Sequence, residues 1–273
     1  MLSGRRPVVL FLLLTLVPAI SARSQSASEL IGRYSTQKFA LELNANGKYR
    51  RTWGDCTTES YEQGTYTLSE RMVSLVVQRR GVRQRGDHRW QNLLDARINE
   101  KFNGDDAPWP TRWELFAVRW GTRLYLMEKD SFVDFANAIN FGLEPRAGAA
   151  CDWPVGGFYL RDGDGNKRVT GSPSLPNDVL KMVLDKPVAA EIVAIERDGE
   201  TEVAILNQGT DAGLRTGMRL LRDSGQPKFW GGMQIISTTD HSARLSLDEQ
   251  ARVGDKLISR FERVRILVKV NQE

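Results

Sequence analysis

At 273 residues, with 41% apolar and 26% charged side chains, the chain has material for two modest domains and lies outside the disordered and collagen-like compositions. The formal charge is +4, but Arg5 and Arg6 lie in a leader; of 38 basic residues, removing these two leaves 36 against 34 acidic ones. So even a balance gives no general case for nucleic acid as a partner, and no nucleic-acid site is expected.

The first 22 residues read as a secretory signal peptide: Arg5 and Arg6 form a basic start, and residues 8–17 are apolar apart from Thr15. Small residues, Ala19-Ile-Ser21, precede a cleavage point near Ala22. About ten apolar residues are too few to span a bilayer. No later stretch approaches that length, so the mature chain is expected to carry no transmembrane segment and to be periplasmic or secreted. Cys56 and Cys151 are the two cysteines. In an oxidising compartment a disulfide between them is the natural expectation, and two separate thiols are the alternative.

Residues 28–128 read as an N-terminal β module. Phe39, Leu41 and Leu43 alternate, Asn44-Ala-Asn-Gly47 turns the chain, and Lys48-Tyr-Arg-Arg-Thr-Trp53 returns, which is a hairpin signal. Gly64-Thr-Tyr-Thr-Leu68 and Met72-Val-Ser-Leu-Val-Val77 add two strands. Residues 113–120 and 123–127, joined at Gly121-Thr122, complete the first barrel or sheet. The order Gly-x-Tyr, alternating strand, Asn-x-x-Gly-x-Tyr, Cys, Gly-Thr-Tyr resembles the opening of bacterial lipocalin-like small barrels. That resemblance implies a barrel in which Tyr49, Trp53, Tyr66 and Trp113 either line a cavity or fill the core. Between strands, Arg79, Arg80, Arg83, Arg85 and Arg89 fall close together. They form a candidate basic surface for lipid headgroups or an envelope polymer, or a solvated edge whose charges discourage pairing. His88 lies among them.

Residues 129–186 read as a connector. Phe132, Phe135, Ala136 and Ile139 follow helical spacing, with Asp130 or Ser131 as N-cap and Gly142 as the stop. One amphipathic helix is expected there, over a barrel mouth or sheet face. The block from Val118-Arg-Trp-Gly121 through Asn137-Ala-Ile-Asn140 to Glu144-Pro-Arg146 is similar to one in uncharacterised exported bacterial proteins. Phe158-Tyr-Leu-Arg161 is a short strand. Asp162, Asp164 and Asn166 match the first ligand positions of a calcium loop, but Lys167 stands where Gly is required and Pro173 where Glu is, so a polar turn is expected and no metal. A second short helical run follows at Asp178-Val-Leu-Lys-Met-Val-Leu184.

Residues 187–271 read as a small C-terminal β-barrel. Asp198-Gly199 sits between two apolar strands, and further strands fall at Met218 to Leu221, Gly232 to Ile236, Ser242 to Leu247, Leu257-Ile258 and Val264 to Val270. Gly209, Gly213, Gly217 and Gly254 mark turns and match no dinucleotide or phosphate fingerprint, so no cofactor is expected. Asn207-x-Gly209, Asp211-Ala-Gly213-Leu, Gly217-Met, Ser242-Ala and Val253-Gly-Asp255 resemble the C-terminal domain of the flagellar assembly protein T type. That resemblance implies an assembly or interaction module with no catalytic residues.

The fold expected is therefore mainly β, with two small antiparallel barrel or sheet modules joined by a short helix-containing segment. His88 and His241 are the two histidines, both in polar turns, and no nucleophile–base–orienter pattern surrounds either. The function expected is a non-enzymatic cell-envelope protein with a binding or assembly role, its partner an envelope protein or polymer. The alternative is a lipocalin-like carrier of a small apolar ligand.

Overall fold

The computed structural model describes residues 27–36, 39–54, 57–69, 71–92, 94, 110–142, 158–167, 169, 171–199, 201–223, 233–247 and 250–259. The leader expected at residues 1–22, Cys56, Cys151 and the strand expected at 264–270 lie outside them. Two closed antiparallel barrels account for nearly all the described strands.

The first barrel is an up-and-down meander. Its strands are β1 (Gly32–Ser35), β2 (Phe39–Leu43), β3 (Lys48–Gly54), β4 (Thr58–Ser69), β5 (Met72–Gln84), β7 (Arg112–Trp120), β8 (Arg123–Met127) and β9 (Phe158–Arg161). The two-residue β6 (Gln91–Asn92) hangs on the far end of β5. Closure comes from β9, which pairs with β8 on one side and β1 on the other. Strand β9 was read from sequence as part of the connector, yet it is a stave of the barrel. The loop after it holds it in place. Asp164 is buried and accepts from the Leu124 N–H at 2.8 Å, while buried Arg123 donates to the carbonyls of Lys167 and Gly165. The carboxylate that mimics a calcium ligand is thus spent on starting β8.

Alternation sends Tyr34, Leu41, Leu43, Tyr49, Leu75, Leu115, Leu124 and Leu126 into one interior cluster. On β5 the alternation breaks. Val77 faces Gly64 and Arg79 faces Gln63, so Gln78 is an extra residue, a β-bulge. Gly64 is the residue this requires, since a Cβ there would meet the Val76 carbonyl oxygen at 1.9 Å. Beyond the bulge the buried positions change phase from Val73, Leu75 and Val77 to Arg80 and Val82.

The helix α1 (Ser131–Asn140) has the expected face: Phe132, Phe135, Ala136 and Ile139 are buried, and Gly142 ends it at φ 74°. Phe135 meets Tyr125, Phe158 and Trp120 edge-on, with centroids at 5.0, 5.4 and 6.2 Å. These three rings are on the outer face of β7–β9, so β8 is buried on both faces. The opposite side of α1 carries Asn137 and Asn140, both buried. Asn137 accepts from the Arg219 N–H at 2.9 Å and donates to the Gly217 carbonyl at 3.1 Å. Asn140 donates to the Met182 carbonyl and accepts from the Leu184 N–H, both at 2.8 Å. Helix α2 (Asn177–Leu180) is a single turn.

The second barrel contains β10 (Ala189–Asp198), β11 (Thr201–Leu206), β12 (Arg219–Arg222), β13 (Met233–Thr238), β14 (Ala243–Ser246) and β15 (Lys256–Ile258). Their order is β10-β11-β14-β13-β12-β15, closed by pairing of β15 with β10 and β12. One apolar cluster runs from the outer face of the first barrel through α1 into this interior, at Ile192, Leu206, Leu220, Ile235, Leu245 and Leu257. Among the described residues no helix is long and apolar enough to cross a membrane.

Candidate functional site

A cleft of about 470 Å³ lies at one end of the first barrel. The end of β1, the start of β2, the end of β3, the start of β4 and the end of β5 meet there, because antiparallel neighbours bring alternate termini together. Phe39, Trp53 and Trp90 supply apolar rings; Arg50, Arg83 and Arg85 supply guanidinium groups; Glu59 is the single carboxylate among the lining residues. Arg83 donates through Nε and Nη2 to Glu59 Oε2, at 2.8 and 2.5 Å. Its guanidinium also lies 4.5 Å from the centroid of Trp90, which meets Tyr61 edge-on at 4.8 Å. Trp90 nevertheless stays 39% exposed, an unusual amount for so large a ring. The lining carries two positive charges beyond Glu59 and several exposed ring faces, a chemistry suited to anions with flat or apolar surfaces.

Behind the floor of this cleft the barrel interior is charged. Arg51, Glu62 and Arg80 are 6%, 0% and 2% exposed. Arg80 donates through Nε (3.2 Å) and Nη2 (2.8 Å) to Glu62 Oε2, and through Nη2 to the Pro110 carbonyl at 2.7 Å. Arg51 Nη1 stands 3.6 Å from Glu62 Oε1, an ion pair without a hydrogen bond. The Arg51 guanidinium rests among the rings of Trp113, Phe39, Trp53 and Tyr159, at 4.5, 5.0, 5.6 and 5.7 Å. Burial pushes the Tyr159 phenol well above its ordinary pKa, partly countered by Arg51. Burial likewise raises Tyr49, and the nearby charge of Glu62 adds to the rise. Half-buried Glu128 is raised by burial and lowered by Arg51. Tyr49 Oη, Arg51 Nε, Glu62 Oε1 and Trp113 Nε1 are buried without a hydrogen-bond partner among the described residues.

The arginines expected to form one basic surface are divided. Arg79, Arg85 and Arg89 are exposed, Arg83 is half-buried against Glu59 and Trp90, and Arg80 is inside the barrel. The bulge at Gln78 turns Arg80 inward. Trp53 lines the cleft, whereas Tyr49 and Tyr66 are in the packed interior; Tyr66 donates to the Asn44 carbonyl at 2.6 Å. His88 is exposed, and His241 Nδ1 meets Asp211 Oδ2 at 2.9 Å with both side chains open to solvent. Gly213, Gly217 and Gly254 have φ of 92°, 88° and 93°. Gly209 differs: its φ is −135°, and what requires glycine is contact, since a Cβ would lie 2.3 Å from the Thr239 carbonyl oxygen. Among the described residues no three His, Cys, Asp or Glu side chains gather as a metal site.

Comparison with protein-family models, with curated proteins and with solved structures finds no match to this chain. The residues that sequence reasoning passed over are Arg51 and Glu62. The signal was in the alternation: Tyr49, Arg51 and Trp53 share one face of β3, and Ser60, Glu62 and Gly64 one face of β4.

Proposed function

We propose that this is an exported, non-enzymatic protein of the cell envelope, in which the N-terminal barrel binds an anionic partner at its open end and the C-terminal barrel serves in assembly. The observation that carries the reading is the cleft itself. It joins Arg50, Arg83 and Arg85 to the rings of Phe39, Trp53 and Trp90 around one carboxylate. An acidic polymer with flat sugar faces fits that lining through charge-assisted hydrogen bonds and ring stacking. The resemblance of residues 207–255 to the flagellar assembly protein T type supports the assembly role of the second barrel, without implying a flagellar one.

The lipocalin-like carrier is the second reading, favoured by the eight-stranded meander. Against it stands the interior, filled by Tyr34, Tyr49, Tyr66 and Tyr159 with Ala117 the only small residue in the cluster. Native mass spectrometry of the protein taken gently from the envelope of its own host separates the two. A complex with polymer or protein, or a homo-oligomer, is the expected result. A small apolar molecule released on denaturation would overturn it in favour of the carrier.

A further inference from the structure

Resting on the reading of the cleft as an anion site, we propose that an acidic glycan chain crosses the strands of the first barrel along one row of small side chains. Tyr61, which does not line the cleft, is the positioning residue for Arg50 and Trp90, which do.

Register fixes the row. Ser35 stands opposite Ala40, Ala40 opposite Thr52, Thr52 opposite Tyr61, and Tyr61 opposite Gly81. Residues directly opposite one another share a face of the sheet. This is the outer face, because the neighbours Tyr34, Leu41, Arg51 and Glu62 are the buried ones. Over β1, β2 and β3 the row carries only Ser, Ala and Thr, so the surface dips there. Strands about 4.8 Å apart make this floor roughly 10 Å long. Longer side chains flank it: Arg50, two residues before Thr52 on β3, and on the other side Glu59 with Arg83, in register with Gly54. At the β1 end the Ser35 hydroxyl is held by Asp162, whose charge is met by Arg33 at 3.3 Å. The cations that an acidic chain would meet are therefore those toward β3 and β5. A cleft of about 470 Å³ is of the size that takes a small molecule or a short run of rings, not a folded domain.

At β4 the row changes from small side chains to a ring. Tyr61 is half-buried, and its ring lies on Gly81, where a Cβ would come 2.5 Å from Tyr61 Cε1. Gly81 is not among the glycines at positive φ, so the ring and not the backbone requires it. Seated there, the ring has the Arg50 guanidinium 5.9 Å from its centroid and Trp90 edge-on at 4.8 Å. Both contacts are attractive, the first as a cation over a π face and the second as a T-shaped pair. Arg50 and Trp90 are otherwise exposed, and exposed side chains lose rotamer freedom when a ligand immobilises them. A ring that orders them beforehand lowers that cost.

The test is calorimetric titration of the full chain with polygalacturonate. Ala40→Leu fills the row without changing a charge and is expected to weaken binding at least tenfold. Thr67→Leu, exposed on β4 but outside the row, should leave it within twofold. Tyr61→Leu keeps apolar bulk on Gly81 but loses the π face, and should weaken binding at least fivefold; Tyr61→Phe, which keeps that face, should stay within twofold of wild type. Denaturant melts of the same variants separate positioning from packing. A Tyr61→Leu protein that is less stable yet binds as wild type does makes Tyr61 a packing residue, and unchanged affinity in Ala40→Leu puts the ligand off the row. Either result would overturn the proposal, and loss of binding in Arg85→Glu would then leave the cleft reading standing. Absence of saturable binding in wild type would overturn both.

Discussion

Replacing Glu62 by Gln removes one negative charge and almost no volume from the centre of the first barrel. Glu62 is fully buried and lies within ion-pair distance of both Arg51 and Arg80. Without its charge two guanidinium groups face each other in a largely apolar interior. Breaking a buried pair from one side costs roughly 3–5 kcal/mol, because the partner's charge is left buried and unmatched. A Coulomb figure of about 4 kcal/mol for unit charges 4 Å apart at an effective dielectric near 20 is of the same size. For a chain of this length that is a fall in Tm of roughly 6–20 °C. Glu59→Gln is the control: it breaks the Arg83 pair, with side chains 31% and 37% exposed, for which about 1 kcal/mol or less is expected. Urea melts of the two variants, followed by tryptophan fluorescence, give the comparison directly. If Glu62→Gln lies within about 1 kcal/mol of wild type, as Glu59→Gln should, the buried cluster does not organise the barrel and the reasoning fails.

Three further outcomes follow from the same structure. Gly209→Ala should destabilise the second barrel by about 2–3 kcal/mol, since its Cβ meets backbone of Thr239, Asp240 and Ser242. Gly254→Ala, with open space around it and φ of 93°, should cost about 1 kcal/mol, and equal costs in denaturant melts would refute the distinction. Phe135→Ala should cost about 3–5 kcal/mol and uncouple the barrels, so that calorimetry is expected to show one transition in wild type and two in the variant, because Phe135 belongs to a cluster that joins both barrels; a single unshifted transition in the variant would contradict this. Tyr34, Tyr49 and Tyr159 all titrate above the ordinary 10.0, chiefly through burial. Above pH 10 the unfolded chain therefore loses phenol protons that the native chain keeps, so stability falls as pH rises. Tyrosinate absorbance at 295 nm should appear together with unfolding, and its gradual appearance in a folded protein would count against the buried phenols.

Much of the fold could be read from local signals. The turn at Asn44-Ala-Asn-Gly47, with Gly47 at φ 75°, and the Asp198-Gly199 turn, with Gly199 at φ 64°, report on a few consecutive residues, as does the helical spacing of Phe132, Phe135 and Ile139. What escaped depended on partners far along the chain. Phe158–Arg161 looks like any four-residue strand until β1 and β8 are both lacking a neighbour. Arg80 looks like one more surface arginine because nothing local announces the extra residue at Gln78 that turns it inward. Asn137 and Asn140 gave no polar signal within an amphipathic helix, since their partners, Gly217, Arg219, Met182 and Leu184, lie 42 to 82 positions later. The cleft was legible in part: Arg83 and Arg85 stand in the arginine-rich stretch marked from sequence, but Arg50, Glu59 and the rings of Phe39 and Trp53 come from other strands, which nothing local brings to them.

The most direct test of the binding role is a fluorescence titration of wild type, Arg85→Glu and Trp90→Ala with a soluble polyuronate, at low and at physiological salt. The cleft predicts saturable quenching in wild type that weakens as salt rises, with affinity at least tenfold lower in each variant. Equal affinity in all three proteins, or binding indifferent to salt, would place recognition elsewhere and contradict the account.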